Sequence, residues 1–312
     1  MLVNDGKGKF QNKTEQLNPN FLKLGMVTGA SWSDLMPNPG KELVVVGEWM
    51  SPRIFSYNKG KFEDIDTDLK NLSGWWQTVS ATDLNGDGLP DLVLGNIGEN
   101  FYLQPDEKNP AKLWRNDFDG NNFANTLLTY TINGKDMPVF LKSDLQDQLP
   151  SIKKKNLKHK DYAEKSIQEL FSKDLIRSSS VSVFNYPSSC VAINLGKGKF
   201  EIRKFPVMGQ LSSINAILPM DVDGNGTIDL ITGGNQFGFL PQFEKLDAHG
   251  GEIWLNDGKG NLTWQEASRT GLNIRGEMRA IIPVNDANGS RILFVMNNER
   301  PVIFKLARPS GD

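Results

Sequence analysis

Two nine-residue stretches carry the densest chemistry in the chain, DLNGDGLPD at 83–91 and DVDGNGTID at 221–229. The first sets side-chain oxygens at Asp83, Asn85, Asp87 and Asp91, with the carbonyl of Leu89 at the seventh place; the second sets them at Asp221, Asp223, Asn225, Thr227 and Asp229. Glycines at the fourth and sixth places reach backbone conformations closed to other residues, so the alternate side chains can converge. Five or more hard oxygens around one point suit Ca²⁺, which takes six to eight oxygen ligands in flexible geometry. Two calcium sites are therefore expected. An EF-hand opens in the same way but needs a glutamate at the twelfth place and flanking helices. Here that place holds Leu94 and Thr232, and β-type runs follow. Asx-rich turns without metal are the competing reading, which leaves the Asp at the ninth place of both loops unexplained. Loops lacking the bidentate Glu bind at about 10⁻⁴–10⁻³ M, as extracellular modules do, so an extracytoplasmic (secreted, periplasmic or cell-surface) location is expected.

The elements that position these loops recur along the chain. Acidic positions at Asp34, Asp83, Asp144, Asp221 and Asn285 each follow a short β-type run, and most precede another, such as ELVVVGEW, DLVLGN, DLITGGN and RILFVMNN. Tight Asn/Gly turns between β-type runs recur as NDGKGKF at 4–10, YNKGKF at 57–62, RNDFDGNNF at 115–123, NLGKGKF at 194–200 and NDGKGNL at 256–262, a hairpin signature. Strand, acidic loop, strand, loop, strand, hairpin and strand make four antiparallel strands per unit. About five such units predict an all-β fold, a β-propeller of four-stranded blades forming a single domain over 1–312. The chain opens inside a repeat and its last unit lacks an outer strand. Two readings follow: the N-terminal strands close the ring, or the units are an arc of a larger propeller. Either way the chain is expected to be part of something longer.

The chain has 312 residues, with 35 basic against 37 acidic side chains and a net charge of −2. No global field points to nucleic acid or to a membrane surface. No apolar run reaches the roughly 18 residues of a membrane span. Cys190 is the single cysteine, which excludes an intrachain disulfide and a thiolate metal site.

The pattern D-x-[DN]-x-[DN]-G-x-x-D-[LI] between two strands of a repeated unit resembles the FG-GAP and VCBS repeats of integrin α-subunit propellers and of many secreted bacterial proteins. Loops 83–91 and 221–229 match it at every ligand place. DLMPNPGKE at 34–42 keeps the first Asp but has Met36 at the third place and Glu42 at the ninth; DLQDQLP at 144–150 breaks off, and NDANGSR at 285–291 is too short. KSDLQDQLPSIKKK at 142–155 is similar to segments of exported VCBS-repeat proteins of Bacteroidetes-type bacteria. The resemblance implies a calcium-stabilised propeller outside the cytoplasm and says nothing of a ligand.

Residues 151–179 depart from the β pattern. Apolar residues at 152, 157, 163, 167, 170, 171 and 175 fall near helical spacing, and eight Lys or Arg stand against four acids. A helical insertion is expected, either capping the propeller with its lysines in solvent or docking an anionic partner. Aromatics gather in GNIGENFYLQPDEKNP at 95–110 and GGNQFGFLPQFEKLDAHGG at 233–251, long loops on the face opposite the acidic loops. Phe101, Tyr102, Phe237 and Phe239, with Trp75 and Trp76 beside them, form either a platform or core. As a platform, Trp75, Trp76, Tyr102 and Phe239 are the nominated ligand residues. The two histidines, His159 and His249, lie in no triad or elbow motif. The expected function is a binding module for a glycan or protein partner; a polysaccharide lyase and a pure scaffold are the alternatives.

Overall fold

The computed structural model describes residues 1–150, 152, 158–243, 245–286 and 289–305. The chain divides into two compact units, Met1–Tyr102 with Ser188–Asp312, and Leu103–Pro187.

The first unit is built from successive antiparallel sheets. The first sheet runs Met26–Ser33, Glu42–Met50, Arg53–Asn58 and Lys61–Ile65 in chain order, with Gly74–Trp75 added on Glu42–Met50. The second runs Thr78–Thr82, Asp91–Gly95, Cys190–Asn194 and Phe200–Lys204; the third runs Ile214–Met220, Asp229–Gly234, Glu252–Asn256 and Leu262–Gln265. The fourth holds three strands, Met278–Asp286, Gly289–Met296 and Val302–Lys305. Burial explains the composition. The second strands of the second and third sheets, DLVLG and DLITGG, are buried along their whole length, as strands covered on both faces must be. The first strands stand side by side in chain order, each sheet's against the next. Apolar clusters fill the spaces between sheets: Val93, Val191, Ile193, Leu230 and Trp254 between the second and third, and Ile231, Ile253, Ile281, Ile292 and Phe294 between the third and fourth.

Two expectations about this arrangement need correction. The unit centred on Asp144 is not a sheet: Asp144 lies in the helix Lys142–Gln148. The hairpin at 194–200, which follows that position in sequence, completes the second sheet instead, with Val191 opposite Val93. Leu103–Pro187 is thus inserted between the second and third strands of one sheet, a separation that local motifs do not disclose. Ring closure by the N-terminus is not seen either. Leu2–Asn4 pairs with Phe10–Asn12 and with no other described strand, while Met1 and Val3 pack on the cluster of Leu43, Val45, Phe55 and Phe62 in the first sheet.

The second unit pairs Lys135–Pro138, Asn125–Ile132, Ala111–Asn116 and Ser180–Phe184 in that order. Asn133 and Gly134, both at positive φ, turn the outer hairpin. The helix expected over 151–179 is instead several short ones, His159–Ala163, Ile167–Leu170 and Lys173–Ser178, with 151 and 153–157 outside the described residues. Ser166 and Glu169 form a reciprocal cap that restarts the helix after a break. Of the helically spaced apolar residues four turn fully inward, Leu175 is half-buried and Ala163 is exposed, while 157 lies outside the described residues. Ile152, Ile167, Leu170 and Phe171 join Trp114, Phe118, Leu127 and Leu145 in one core.

Candidate metal loops and the opposite aromatic end

Each acidic loop joins the first and second strands of its sheet, and a repeated set of hydrogen bonds shapes it. In the first, Asp83 accepts from the backbone N–H of Gly86 at 2.7 Å and of Gly88 at 2.9 Å, and Asp87 accepts from Leu89 N–H at 2.8 Å. In the second, Asp221 accepts from Gly224 at 2.7 Å and Gly226 at 3.1 Å, and Asn225 accepts from Thr227 N–H at 2.7 Å. Gly88 and Gly226 sit at φ +87° and +89°, the left-handed region that glycine enters freely. The result is a curl with its side chains toward one side. One oxygen each from Asp221, Asp223 and Asp229 lie within 4.8 Å of one another, the one such acidic trio among the described residues.

The ninth residue has a second task. Asp91 accepts from Leu84 N–H at 2.9 Å and Asn194 N–H at 2.8 Å; Asp229 accepts from Val222 at 2.9 Å and Asn256 at 2.8 Å. Both carboxylates are buried, and desolvation raises their pKa despite these donors, because burial disfavours the charged form. Here lies the explanation for an Asp at the ninth place of both loops: it clasps the loop to the third strand. Glu42 makes the loop-side half of this clasp in the 34–42 loop, taking Leu35 N–H at 2.9 Å and Met36 N–H at 3.2 Å. Met36 supplies no oxygen there, so that loop keeps the clasp without a converging ligand set.

A family profile described as an FG-GAP-like repeat matches residues 40–94, from the second strand of the first sheet through the first acidic loop. Residues 40–94 carry an FG-GAP-like repeat. No curated protein matches the chain. Among solved structures, the V. cholerae biofilm matrix protein Bap1 is similar over 90% of this chain and 69% of that one, at 10% identity and a TM-score of 0.25. A superposition that loose carries no argument here.

The FG-GAP-like stretch ends at Leu94, and beyond it the chain crosses to the other end of the second sheet. Asn96, directly after the strand, accepts from Trp75 N–H at 3.1 Å and Ile97 N–H at 2.8 Å. Asn235 holds the equivalent place after the third sheet's second strand, at φ +83°. Its side chain donates to the carbonyls of His249 at 2.7 Å and Gly276 at 2.9 Å, and accepts from His249 N–H and Ser212 Oγ, both at 2.9 Å. These two asparagines anchor the aromatic loops. Their signal in sequence was the recurrent Gly-Asn closing DLVLGN and DLITGGN.

The aromatic side chains of the two loops meet. Phe101 lies 5.1 Å from Phe239 and 4.3 Å from Tyr102, and Tyr102 stacks on Phe243 at 4.1 Å. Phe101 is buried, whereas Tyr102, Phe237 and Phe239 are half-buried. Burial pushes the Tyr102 phenol up to about 12. Lys245 stands over the Phe237 ring at 4.8 Å. Trp76 needs correction as a ligand residue: it is wholly buried, its Nε1 donating to the Leu72 carbonyl at 3.0 Å. Trp75 is also buried, packed between Trp49 at 5.2 Å and Phe101 at 5.1 Å. Of the four nominated residues, Tyr102 and Phe239 keep exposed surface. His249 is buried, with Nε2 at 3.1 Å from the Met208 carbonyl.

Proposed function

We propose that the chain is a calcium-stabilised, extracytoplasmic binding module of propeller type, and that it binds a glycan through the aromatic loops. The observation that carries this reading is the opposition of two built ends. Oxygen-rich loops of one design occupy one end of the second and third sheets, and converging, partly exposed aromatics occupy the other. The donor set of each acidic loop is wholly oxygen and is open to solvent at Asp87, Asp223 and Asn225, which fits a hard cation with flexible coordination. Asp83, Asn85, Asp87, Asp91 and the Leu89 carbonyl would hold one ion, and Asp221, Asp223, Asn225, Asp229 and Thr227 the other. A bound ion offsets the repulsion among carboxylates held this close and so stabilises the folded loops.

The stacking of four sheets by their first strands supports the propeller reading, and the FG-GAP-like match supports an extracytoplasmic setting. Among the described residues no helix is long and apolar enough to cross a membrane. We favour binding over turnover because the histidine nearest the aromatic end is buried against a backbone carbonyl. Tyr102 and Phe239 offer flat apolar faces of the kind that stack on sugar rings, beside the polar Asn100 and Gln236.

One paired experiment tests the reading. Thermal unfolding is followed in millimolar EDTA and in millimolar Ca²⁺, and the calcium-loaded chain is screened on a glycan array. A ligand that binds only the folded state contributes about 1.4 kcal/mol per site at ten times its Kd, so the melting temperature should rise with calcium. An unchanged melting temperature would sink the metal assignment. An array without a hit, beside capture of a protein partner, would replace the glycan with a protein ligand.

A further inference from the structure

The N-terminal hairpin reproduces the outer half of a sheet. In the second sheet Asn194 lies opposite Phe200, and the next residue, Leu195, donates to the Lys199 carbonyl at 2.9 Å. In the third, Asn256 lies opposite Leu262, and Asp257 donates to the Asn261 carbonyl at 3.2 Å. At the N-terminus Asn4 lies opposite Phe10, and Asp5 donates to the Lys9 carbonyl at 2.9 Å. The turn agrees as well: Gly6 N–H donates to Asn4 Oδ1 at 2.9 Å, as Gly196 does to Asn194 at 2.9 Å and Gly258 to Asn256 at 3.2 Å. Leu2–Asn4 and Phe10–Asn12 thus have the form of third and fourth strands.

A third strand of this form is met by a second strand and its acidic loop. The Asn194 N–H donates to the Asp91 carboxylate at 2.8 Å and its Nδ2 to the Pro90 carbonyl at 3.1 Å. Asn256 meets Asp229 and Ile228 in the same way, at 2.8 Å and 2.9 Å. Asn4 makes neither bond among the described residues: its side chain is exposed, and no described strand pairs with the far edge of Leu2–Asn4. Bonding alternates along an antiparallel strand, so with Asp5 turned toward Lys9 the N–H of Asn4 turns the other way. An open edge of this kind is a template for strand addition.

Beside that edge lies a groove of about 1020 Å³. Its floor is one face of the first sheet, with Val27, Ala30 and Trp32 from the first strand and Leu43 and Val45 from the second. Elsewhere in the series apolar residues between adjacent sheets are packed away, yet Trp32 is 51% exposed. The charged side chains on the lining are Lys13 and Lys41, with no carboxylate among the lining residues. Apolar floor, open edge, unmatched asparagine donors and a cationic rim together describe one occupant. It has two apolar strands joined by an acidic loop.

We infer that the groove and the Leu2–Asn4 edge form a docking site for a β-hairpin donated by a partner protein, its strands apolar and its loop acidic like 83–91. The second donated strand pairs with Leu2–Asn4, its first carboxylate takes the Asn4 N–H, and apolar side chains of both strands cover Val27 and Trp32. Register follows from the second sheet, where Leu92 lies opposite Ala192, two residues before Asn194. The equivalent partner residue therefore lies opposite Leu2. This site uses none of the aromatic-loop residues and stands whether or not the acidic loops hold calcium.

The probe is a synthetic peptide of residues 78–95, labelled with fluorescein and titrated with the full chain by anisotropy, while circular dichroism confirms that each chain variant is folded. Saturable one-to-one binding is expected. Asn4→Ala removes the Nδ2 donor and should weaken binding about fivefold, the worth of one neutral hydrogen bond. A peptide carrying Asp91→Asn should lose about tenfold, because a charged acceptor becomes a neutral one. Trp32→Asp should abolish binding, and Ile303→Asp, at an exposed position of the fourth sheet, should leave it unchanged. Absence of saturation at the highest chain concentration overturns the site, as does one affinity shared by wild type, Asn4→Ala and Trp32→Asp. Should Trp32→Asp fail to fold, Asn4→Ala decides alone. Sedimentation of the free chain tests the other occupant: a dimer that is lost in Trp32→Asp and takes up no peptide puts a second copy in the groove and overturns the partner hairpin.

Discussion

Asn256 Nδ2 donates to the carbonyl of Leu84 at 2.8 Å and to that of Ile228 at 2.9 Å. A single side chain of the third sheet thus closes the acidic loops of two sheets, bridging positions 172 residues apart. Its Oδ1 accepts from Gly260 N–H at 3.0 Å, and its own N–H is held by Asp229. Asn194 repeats the relation one sheet earlier, donating to Leu35 at 3.0 Å and to Pro90 at 3.1 Å. The acidic loops are therefore stitched to one another, and loop shape depends on sheet packing.

Asn256→Ala leaves two buried carbonyls without their donor. Each orphaned buried group costs about 1–3 kcal/mol, so the variant should lose about 2–6 kcal/mol of stability. Urea denaturation is the measurement, with the midpoint falling and the slope unchanged. A loss under about 0.5 kcal/mol, the range of an ordinary surface substitution, would show that the latch is not used.

Close approach of neighbouring sheets gives the second prediction. A Cβ built on Gly95 runs into the Ile214 carbonyl, and one on Gly234 into the Ser213 carbonyl. Backbone occupies both places, and backbone yields less readily than a flexible side-chain tip. Gly95→Ala and Gly234→Ala should each destabilise by about 1–3 kcal/mol or more, as overpacking does. Gly120→Ala, with nothing within 4 Å of its Cβ, supplies the comparison of strain without collision. Gly95 and Gly234 lie outside the left-handed region that strains Gly120→Ala, so a loss there reports collision, and losses under about 0.5 kcal/mol would show that the neighbouring backbone gives way.

Much of this was legible before any coordinates. The two oxygen-rich loops, their place between first and second strands, and the opposed aromatic loops all follow from motifs that are local in sequence. What stayed hidden was non-local. Val191 pairs with Val93 across an inserted unit, and no pattern near either residue names its partner. The latching asparagines looked like turn residues because Asn is common in turns for reasons unrelated to a distant carbonyl. Trp76 could join either the platform or the core on its sequence, and the sheet packing covers it entirely.

Acid should act on the first unit through His249. Burial lowers its pKa, and Glu252 opposes the shift. Around it are the Met208 carbonyl, Glu252 and the Ser213 backbone, while Nδ1 is buried without a hydrogen-bond partner. A histidine whose folded pKa lies below its unfolded value stabilises the fold above the unfolded pKa, near 6.5. That contribution is lost as pH falls through the lower, folded value. The unfolding free energy should therefore decline from pH 7 toward pH 5, and His249→Phe should flatten the decline. An identical slope in the variant would move the cause elsewhere.

The aromatic end offers the sharpest separation of core from binding surface, because two of its nominated residues are core and two keep exposed area. Trp76→Ala empties a fully enclosed site and should cost about 3–5 kcal/mol, with binding impaired only in proportion to unfolded protein. Phe239 touches Phe101 at 5.1 Å on one side and is half open on the other, so Phe239→Ala should cost less stability, about 1 kcal/mol at such a partly exposed position. Aromatics that become buried on binding dominate interface energies. Phe239→Ala should therefore weaken whichever glycan the array identifies by at least fivefold, roughly 1 kcal/mol. Tyr102→Phe separates stacking from hydrogen bonding at the neighbouring residue: it keeps the ring on Phe243 and removes the hydroxyl. Isothermal titration beside a denaturation series reads both quantities on one preparation. Wild-type affinity in Phe239→Ala and Tyr102→Phe alike, with the fold intact, would remove the aromatic end from recognition.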